Sequence, residues 1–338
     1  MKPTPAGLRA LGLAAGLLAL FLALFASIQS AAEGLAGTDG YYHAKMGLLL
    51  RQQGLTPDFR WLPLTILDEE GYYDHHLLYH AYLGLFGGRD PAQDDGVSLT
   101  RSAKIASVVL PAAAFLALWA LLRRLGTPAA GLWALGLFAV SDAFLYRMSM
   151  PRAQAASLLI LALALLALFA GRAWLLAPLG FVYVWSYNAF PLLLLTGALY
   201  ALAVWLTERR LAWGALAFPL LGLALGLVLN PYFPRDLAFV AYHLLPKLAG
   251  SETGVGNEWY PYESWTLVEN AGVALAAFVA GLFAWGWRRE RMDGRALTLF
   301  FLALAFLLMF LRARRFVEYF PAFALLFAAA SLGRPLAA

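Results

Sequence analysis

Runs of about 20 apolar residues recur from one end of this chain to the other, and they limit what it can become. A helix needs roughly 20 such residues to cross the ~30 Å hydrocarbon core of a bilayer while pairing all its backbone polar groups internally. Of the 338 residues, 62% are hydrophobic and 13% charged. A soluble domain is about 25% charged, so this chain has too few charges to clothe a water-facing surface. The expected fold class is all-α: a polytopic transmembrane helix bundle, one domain over 1–338 with no separate soluble domain. About ten spans are expected, near 9–28, 103–122, 129–146, 153–170, 173–187, 189–206, 212–229, 270–287, 297–311 and 316–332. The pair 173–187 and 189–206 reads either as two short helices turning at Ser186-Tyr187-Asn188 or as one long broken helix. The first span reads as a retained anchor, with cleavage at the small residues Ser30-Ala31-Ala32 as the alternative.

Positive charge in short loops marks the cytoplasmic side. With the N-terminus inside, Lys2, Arg9, Arg123, Arg124, Arg172, Arg209, Arg210, Arg288, Arg289, Arg291, Arg295 and Arg334 all fall inside. The C-terminus is then inside too, and the long polar segments 29–102 and 230–269 are structured outer loops. The expected location is the cytoplasmic (inner) membrane, with membrane lipids as neighbours and the active face outside. The net charge of +5 comes from arginines at helix ends and is no nucleic-acid signature. There is no cysteine, which excludes disulfides and thiol chemistry.

The outer segments hold the residues that can carry chemistry. Asp39 follows the first span in Gly37-Thr38-Asp39-Gly40-Tyr41-Tyr42-His43. A carboxylate there can act as a general base or a metal ligand, or can cap the next helix. That helix, over 40–53, is expected to lie on the membrane with Met46, Leu49, Leu50 and Gln53 near one face. Asp74-His75-His76 with Tyr79 and His80 forms a second cluster, and His76 and His80 at i, i+4 share a helix face suited to a metal. The alternative is a hydrogen-bonded polar patch; His43 and His243 also fall in outer segments. Glu258 and Tyr260 lie in an aromatic, proline-rich stretch of the second outer segment, and Glu269 stands at the mouth of the next span.

Arg312-Ala313-Arg314-Arg315 breaks the orientation rule, as do Arg147 and Arg152, because all five arginines fall outside in short loops. Charged groups at a membrane edge need partners. Carboxylates such as Asp39, Asp142 or Glu318 can serve, and so can a lipid phosphate, whose geometry suits the guanidinium fork. If the ninth span continues as a helix, Arg312 and Arg315 are neighbours at i, i+3 and can grip one phosphate, leaving Arg314 for Glu318.

Taken in order, these features resemble the GT-C superfamily of membrane glycosyltransferases, and most of all the membrane half of the oligosaccharyltransferase catalytic subunit. Thr38-Asp39-Gly40-Tyr41 looks like that family's first acidic motif, Tyr146-Arg147-Met148-Ser149 like the segment after its third span, and Thr266-Leu267-Val268-Glu269 like its Thr-x-x-Glu loop motif. The resemblance implies a hexosyltransferase or related enzyme that moves a sugar from a polyprenyl-phosphate-linked donor to a glycan, lipid or protein acceptor, with inversion. It implies Asp39 and Glu269 as catalytic residues and Arg147, Arg152, Arg312, Arg314 and Arg315 as the donor-phosphate site. Tyr41, Tyr42, His43, Asp74, His75, His76, Glu258 and Tyr260 are the expected substrate contacts. A divalent metal on Asp39, His76 and His80 is the cofactor to be tested. The family's acidic pair after Ser149 is replaced here by Met150-Pro151-Arg152-Ala153-Gln154, which works against a metal at the family's position. Two rival functions share these features: a non-enzymatic membrane protein that handles or transports lipid-linked glycans, and a metal-dependent transferase or hydrolase using Asp74, His76 and His80.

Overall fold

The protein is described by a computed structural model over residues 5–61, 71–244, 256–288 and 293–332. Asp68, Glu69, Glu70, Lys2, Arg289, Arg291, Arg334 and the side chains of Arg288 and His243 lie outside the described residues. Every regular element among the described residues is a helix. In chain order these are α1 (Pro5–Ser30), α2 (Asp39–Gln53), α3 (Leu77–Gly84), α4 (Gly96–Arg124), α5 (Ala130–Leu135), α6 (Asp142–Ser149) and α7 (Gln154–Phe169). There follow α8 (Leu176–Ser186), α9 (Pro191–Glu208), α10 (Gly214–Val228), α11 (Arg235–Phe239), α12 (Ser264–Arg288), α13 (Gly294–Arg312) and α14 (Phe320–Leu332).

Among the described residues five helices are long and apolar enough to cross a membrane: Leu8–Ser30, Gly96–Arg124, Pro191–Glu208, Ser264–Trp287 and Gly294–Arg312. The other expected spans are shorter or broken. The stretch 129–146 is not one helix: α5 ends in a short 3-10 turn, and Ser141 is fully extended at φ −170°. The Ser141 hydroxyl then caps α6 by accepting the Phe144 N–H. Helices α6 and α7 meet at an elbow of 103° around Met150–Ala153, where Pro151 denies the backbone a donor. The segments 173–187 and 189–206 are two helices, parted by an extended Tyr187 and restarted by Pro191.

Helix α14 has 13 residues, about 20 Å at 1.5 Å per residue. Ten consecutive residues from Phe320 to Ala329 are buried, so it forms the centre of the bundle. Its sequence, Phe-Pro-Ala-Phe-Ala-Leu-Leu-Phe-Ala-Ala-Ala-Ser-Leu, offers no charge that burial would penalise, and a helix apolar all round belongs inside. Helices α12, α13, α4 and α5 pack around it.

Helix α2 does not lie on a surface. Gly40, His43, Ala44, Met46, Gly47, Leu48, Leu49 and Leu50 are all buried, so more than one face is covered. It packs on α3 and α4. Gly47 and Gly84 make the crossing with α3: a Cβ on Gly47 would stand 3.0 Å from the His80 carbonyl oxygen, and one on Gly84 3.0 Å from that of Gly47. The backbones meet there because neither residue has a side chain. His43 and His80 each lie four residues before one of these glycines, so the crossing brings the two rings together.

Helices α8 and α10 are joined in the same way. A Cβ on Gly222 would collide with the Ala177 carbonyl. Alanine normally favours a helix over glycine by about 1 kcal/mol, but forced overpacking costs about 1–3 kcal/mol. Gly222→Ala is therefore expected to lower the melting temperature of the detergent-solubilised protein, whereas Gly12→Ala, in open space, leaves it unchanged or raises it. Equal melting of both variants would refute this packing.

Candidate functional site

Five of the expected site residues, Asp39, Arg147, Arg152, Glu258 and Arg315, come together in one ion-pair network. Asp39 opens α2, and the side chain of the N-cap residue, Thr38, makes no capping bond. The carboxylate is half exposed, and its Oδ2 lies 3.3 Å from Nη1 of Arg152. Arg152 sits in the elbow between α6 and α7. A side chain at Gly37 or Gly40 would run into Met150 or Pro151. The two glycines let the Asp39 segment lie directly on the elbow, and Gly37 also holds φ +76°, a conformation glycine adopts at little cost. Gln29, at the end of α1, donates to the Ser149 carbonyl at 2.6 Å and ties the same junction down.

Behind Asp39 lies a network of arginines and carboxylates. Arg147 Nη2 is 2.8 Å from Glu258 Oε2 and 2.5 Å from Glu318 Oε1. Arg315 Nη1 is 3.2 Å from Glu258 Oε1, and its Nη2 donates to the Tyr187 hydroxyl at 2.8 Å. Tyr187 donates in turn to Glu318 Oε2 at 3.4 Å. Arg152 reaches Glu258 Oε2 at 3.7 Å, and the Arg315 guanidinium lies 4.5 Å from the centre of the Trp259 ring. Glu318 is fully buried. Three arginines thus face Asp39, Glu258 and Glu318, and the formal charges balance. Burial pushes the Glu258 carboxyl up, but the guanidiniums of Arg315, Arg147 and Arg152 outweigh it and hold the pKa at about 2.

The arginine triplet is not arranged as a continuous helix would place it. Helix α13 ends at Arg312, and Ala313 is extended at φ −151°, ψ 124°. Arg315 therefore turns inward while Arg312 stays exposed, without an ion pair among the described residues. Arg314 does not meet Glu318. It donates to the carbonyls of Tyr260 (3.3 Å) and Pro261 (3.1 Å) and covers the Tyr262 ring at 5.1 Å. Glu318 pairs with Arg147 instead, and Asp142 is exposed.

Other expected contacts are spread more widely. Tyr41 accepts the Leu35 N–H at 3.2 Å and lines a groove of about 880 Å³ with Gln29, Glu33 and Lys104. The Tyr260 side chain is exposed. Glu269 lies within α12, which begins at Ser264, and its exposed side chain makes no ion pair with the described residues.

Tyr42 packs on His43 and His80, and His75 stacks on Phe239. His76 is the residue before α3 rather than part of it, yet its nitrogens group with those of His80 and His43. Asp39 is not in that group. The divalent metal implied at Asp39 does not fit this neighbourhood: in place of an acidic pair after Ser149 stands Arg152, whose guanidinium already contacts the carboxylate. Tyr187, Trp259 and Gln29 were missed as site residues. Tyr187 had one signal, its place in the helix-breaking Ser186-Tyr187-Asn188.

No known family profile matches the chain, and no curated protein does. Solved structures do. The chain superposes on archaeal oligosaccharyltransferase AglB from Archaeoglobus fulgidus, in complex with an inhibitory peptide and a dolichol-phosphate, with TM-score 0.64 and 14% identity over 94% of this chain and 50% of that one. The Archaeoglobus fulgidus oligosaccharyltransferase tethered to an acceptor peptide gives TM-score 0.62 at 14% identity, over 94% and 49%. The apo form gives 0.59 at 14%, over 93% and 50%. The chain spans about half the length of these structures. Its fold is GT-C-like, and its long apolar helices mark it as a helical membrane protein.

The depressed Glu258 carboxyl has a pH signature. An unfolded Glu258 takes up a proton near its ordinary value of 4.5, whereas the folded site resists it down to about 2. Its contribution to stability is whole above pH 4.5 and is lost progressively between pH 4.5 and 2. Thermal melting of the wild type is expected to fall more steeply across that interval than melting of Glu258→Gln. Parallel curves would remove Glu258 from the ion-pair network.

Proposed function

We propose that this protein is a GT-C-type glycosyltransferase that moves a sugar from a polyprenyl-phosphate-linked donor to an acceptor hydroxyl. The observation that carries this reading is the half-exposed Asp39 carboxylate beside Arg152, in a chain whose fold matches oligosaccharyltransferase. Asp39 takes the proton of the acceptor, and the acceptor atom attacks the anomeric carbon. The bond from that carbon to the phosphate oxygen breaks, the polyprenyl phosphate leaves with the electron pair, and in-line displacement inverts the centre.

In this reading the arginines differ by the partners they already hold. Arg147 and Arg315 are committed to Glu258 and Glu318 and stiffen the site. Arg152 holds Asp39 and Glu258 at longer range, and Arg312 is unpaired among the described residues; these two have donors to offer a phosphate. A donor phosphate drawing Arg152 away leaves Asp39 less neutralised and more basic. Fixed positive charge near the leaving group then stabilises the transition state. Glu269 is the second catalytic carboxylate of this reading. Arg314, through the 260–261 carbonyls, positions the loop that carries Glu258. The active face is outside, with both termini inside and about ten membrane passages, the short helices counted with the long.

Asp39→Asn keeps the shape and removes the base. It is expected to lower transfer by about 10²–10⁴-fold with unchanged melting, measured with a polyprenyl-phosphate sugar and purified protein. Transfer at the wild-type rate would end the base assignment. The orientation is checked in intact cells with an impermeant thiol reagent, since the chain has no native cysteine. Ala92→Cys should label and Arg210→Cys should not; the reverse pattern would invert the protein.

A further inference from the structure

Beside the arginine network, the segment between α1 and α4 encloses a second polar cluster. His43 on α2, His76 before α3 and His80 within α3 offer ring nitrogens that all lie within 4.8 Å of one another. The three residues are 3%, 8% and 0% exposed. A neutral imidazole keeps one lone-pair nitrogen, so each of the three rings has one ligand atom to offer.

The orientation of His80 is fixed from behind. Asp74, itself 1% exposed, places Oδ2 2.7 Å from His80 Nδ1 and accepts the His76 backbone N–H on Oδ1 at 3.0 Å. A carboxylate in that position holds the proton on Nδ1, which turns the Nε2 lone pair toward His43 Nδ1, 2.7 Å away. Metal-bound imidazoles are supported in this way, by a carboxylate on the far nitrogen. His76 Nδ1 is buried and has no hydrogen-bond partner among the described residues. The cluster therefore contains a buried nitrogen that no described residue satisfies, beside an oriented lone pair.

We infer that His43, His76 and His80 bind one divalent transition-metal ion of the zinc class, with Asp74 as the outer carboxylate that orients His80. Imidazole suits zinc, and three protein ligands leave a fourth position open. Nitrogens about 2.0–2.1 Å from a tetrahedral ion stand roughly 3.3 Å apart, so the His43–His80 contact opens by about 0.6 Å on binding. With Nδ1 on the ion, His43 carries its ring proton on Nε2. The opposing charge of Arg152 is offset by Asp39 and Glu258. The ion ties α2 to α3 one turn from the Gly47–Gly84 crossing and one turn after Asp39. This site is independent of the transfer reaction, and its residues are not those of the Asp39–Arg152 pair.

The test uses the full chain in detergent, stripped with chelator and reloaded with Zn²⁺ or Co²⁺. One equivalent should survive gel filtration, the Co²⁺ form should show the visible bands of nitrogen coordination, and X-ray absorption should count three imidazoles. His76→Gln should lose the bound metal, and Asp74→Asn should weaken binding about 10–100-fold. The inference is overturned if the wild type retains no stoichiometric metal, if absorption counts two imidazoles or fewer, or if both variants bind as the wild type does. Should the variants fail to fold, the imidazole count on wild-type protein decides alone.

Discussion

Charge pairing at the helix ends governs this molecule. Moving an ion out of water costs several kcal/mol even after relaxation, and Glu318 is fully buried with Arg315 nearly so. The pairs therefore have to close. Glu258 arrives from the loop before α12, Glu318 and Arg315 from the turn between α13 and α14, Arg147 from α6 and Tyr187 from the break after α8. Elements far apart in sequence are thus held to one another by partners they cannot abandon cheaply. The Asp39–Arg152 contact lies at the edge of this assembly, where exposure loosens it. The interior of the network is closed by its own partners, and its rim keeps a half-exposed carboxylate.

Much of this was legible in the sequence. Composition and the long apolar runs give an all-helical membrane bundle, and Asp39, Arg147, Arg152 and Arg315 stood out as charges that needed partners. What was not legible depended on local breaks. Nothing in Arg312-Ala313-Arg314-Arg315 announces that Ala313 turns extended, and that one residue sends Arg315 inward and Arg314 toward the 260–261 carbonyls. The stretch 129–146 is apolar enough for a span, but Ser141 finds its best use as a cap. Helix α2 looked like a surface helix because polar residues interrupt its apolar ones. Gly47 and Gly84 let α3 come close enough to bury both faces, a tertiary effect that periodicity cannot register. The same crossing recruits His43 to His76 and His80, and helical spacing pointed to those last two alone.

Three positive and three negative side chains in one enclosure also limit substitution. Removing Glu258 leaves Arg147 and Arg315 facing each other with one carboxylate fewer, so a mutation there is felt by both. Such coupling makes single-site effects non-additive. A double substitution of Arg147 and Glu258 should therefore be read as a cycle rather than as two separate losses.

The central helix α14 has a consequence for biogenesis. The ribosome delivers it after α4, α5, α12 and α13, the helices that enclose it. Until α14 arrives, those helices share a vacant slot, and the Phe-rich surfaces that line it have only lipid or one another to meet. Insertion of the earlier helices thus yields an open ring rather than a finished protein. When α14 enters that ring, the turn just before it brings the buried Glu318 to Arg147, so filling the slot and closing the ion-pair network are one event.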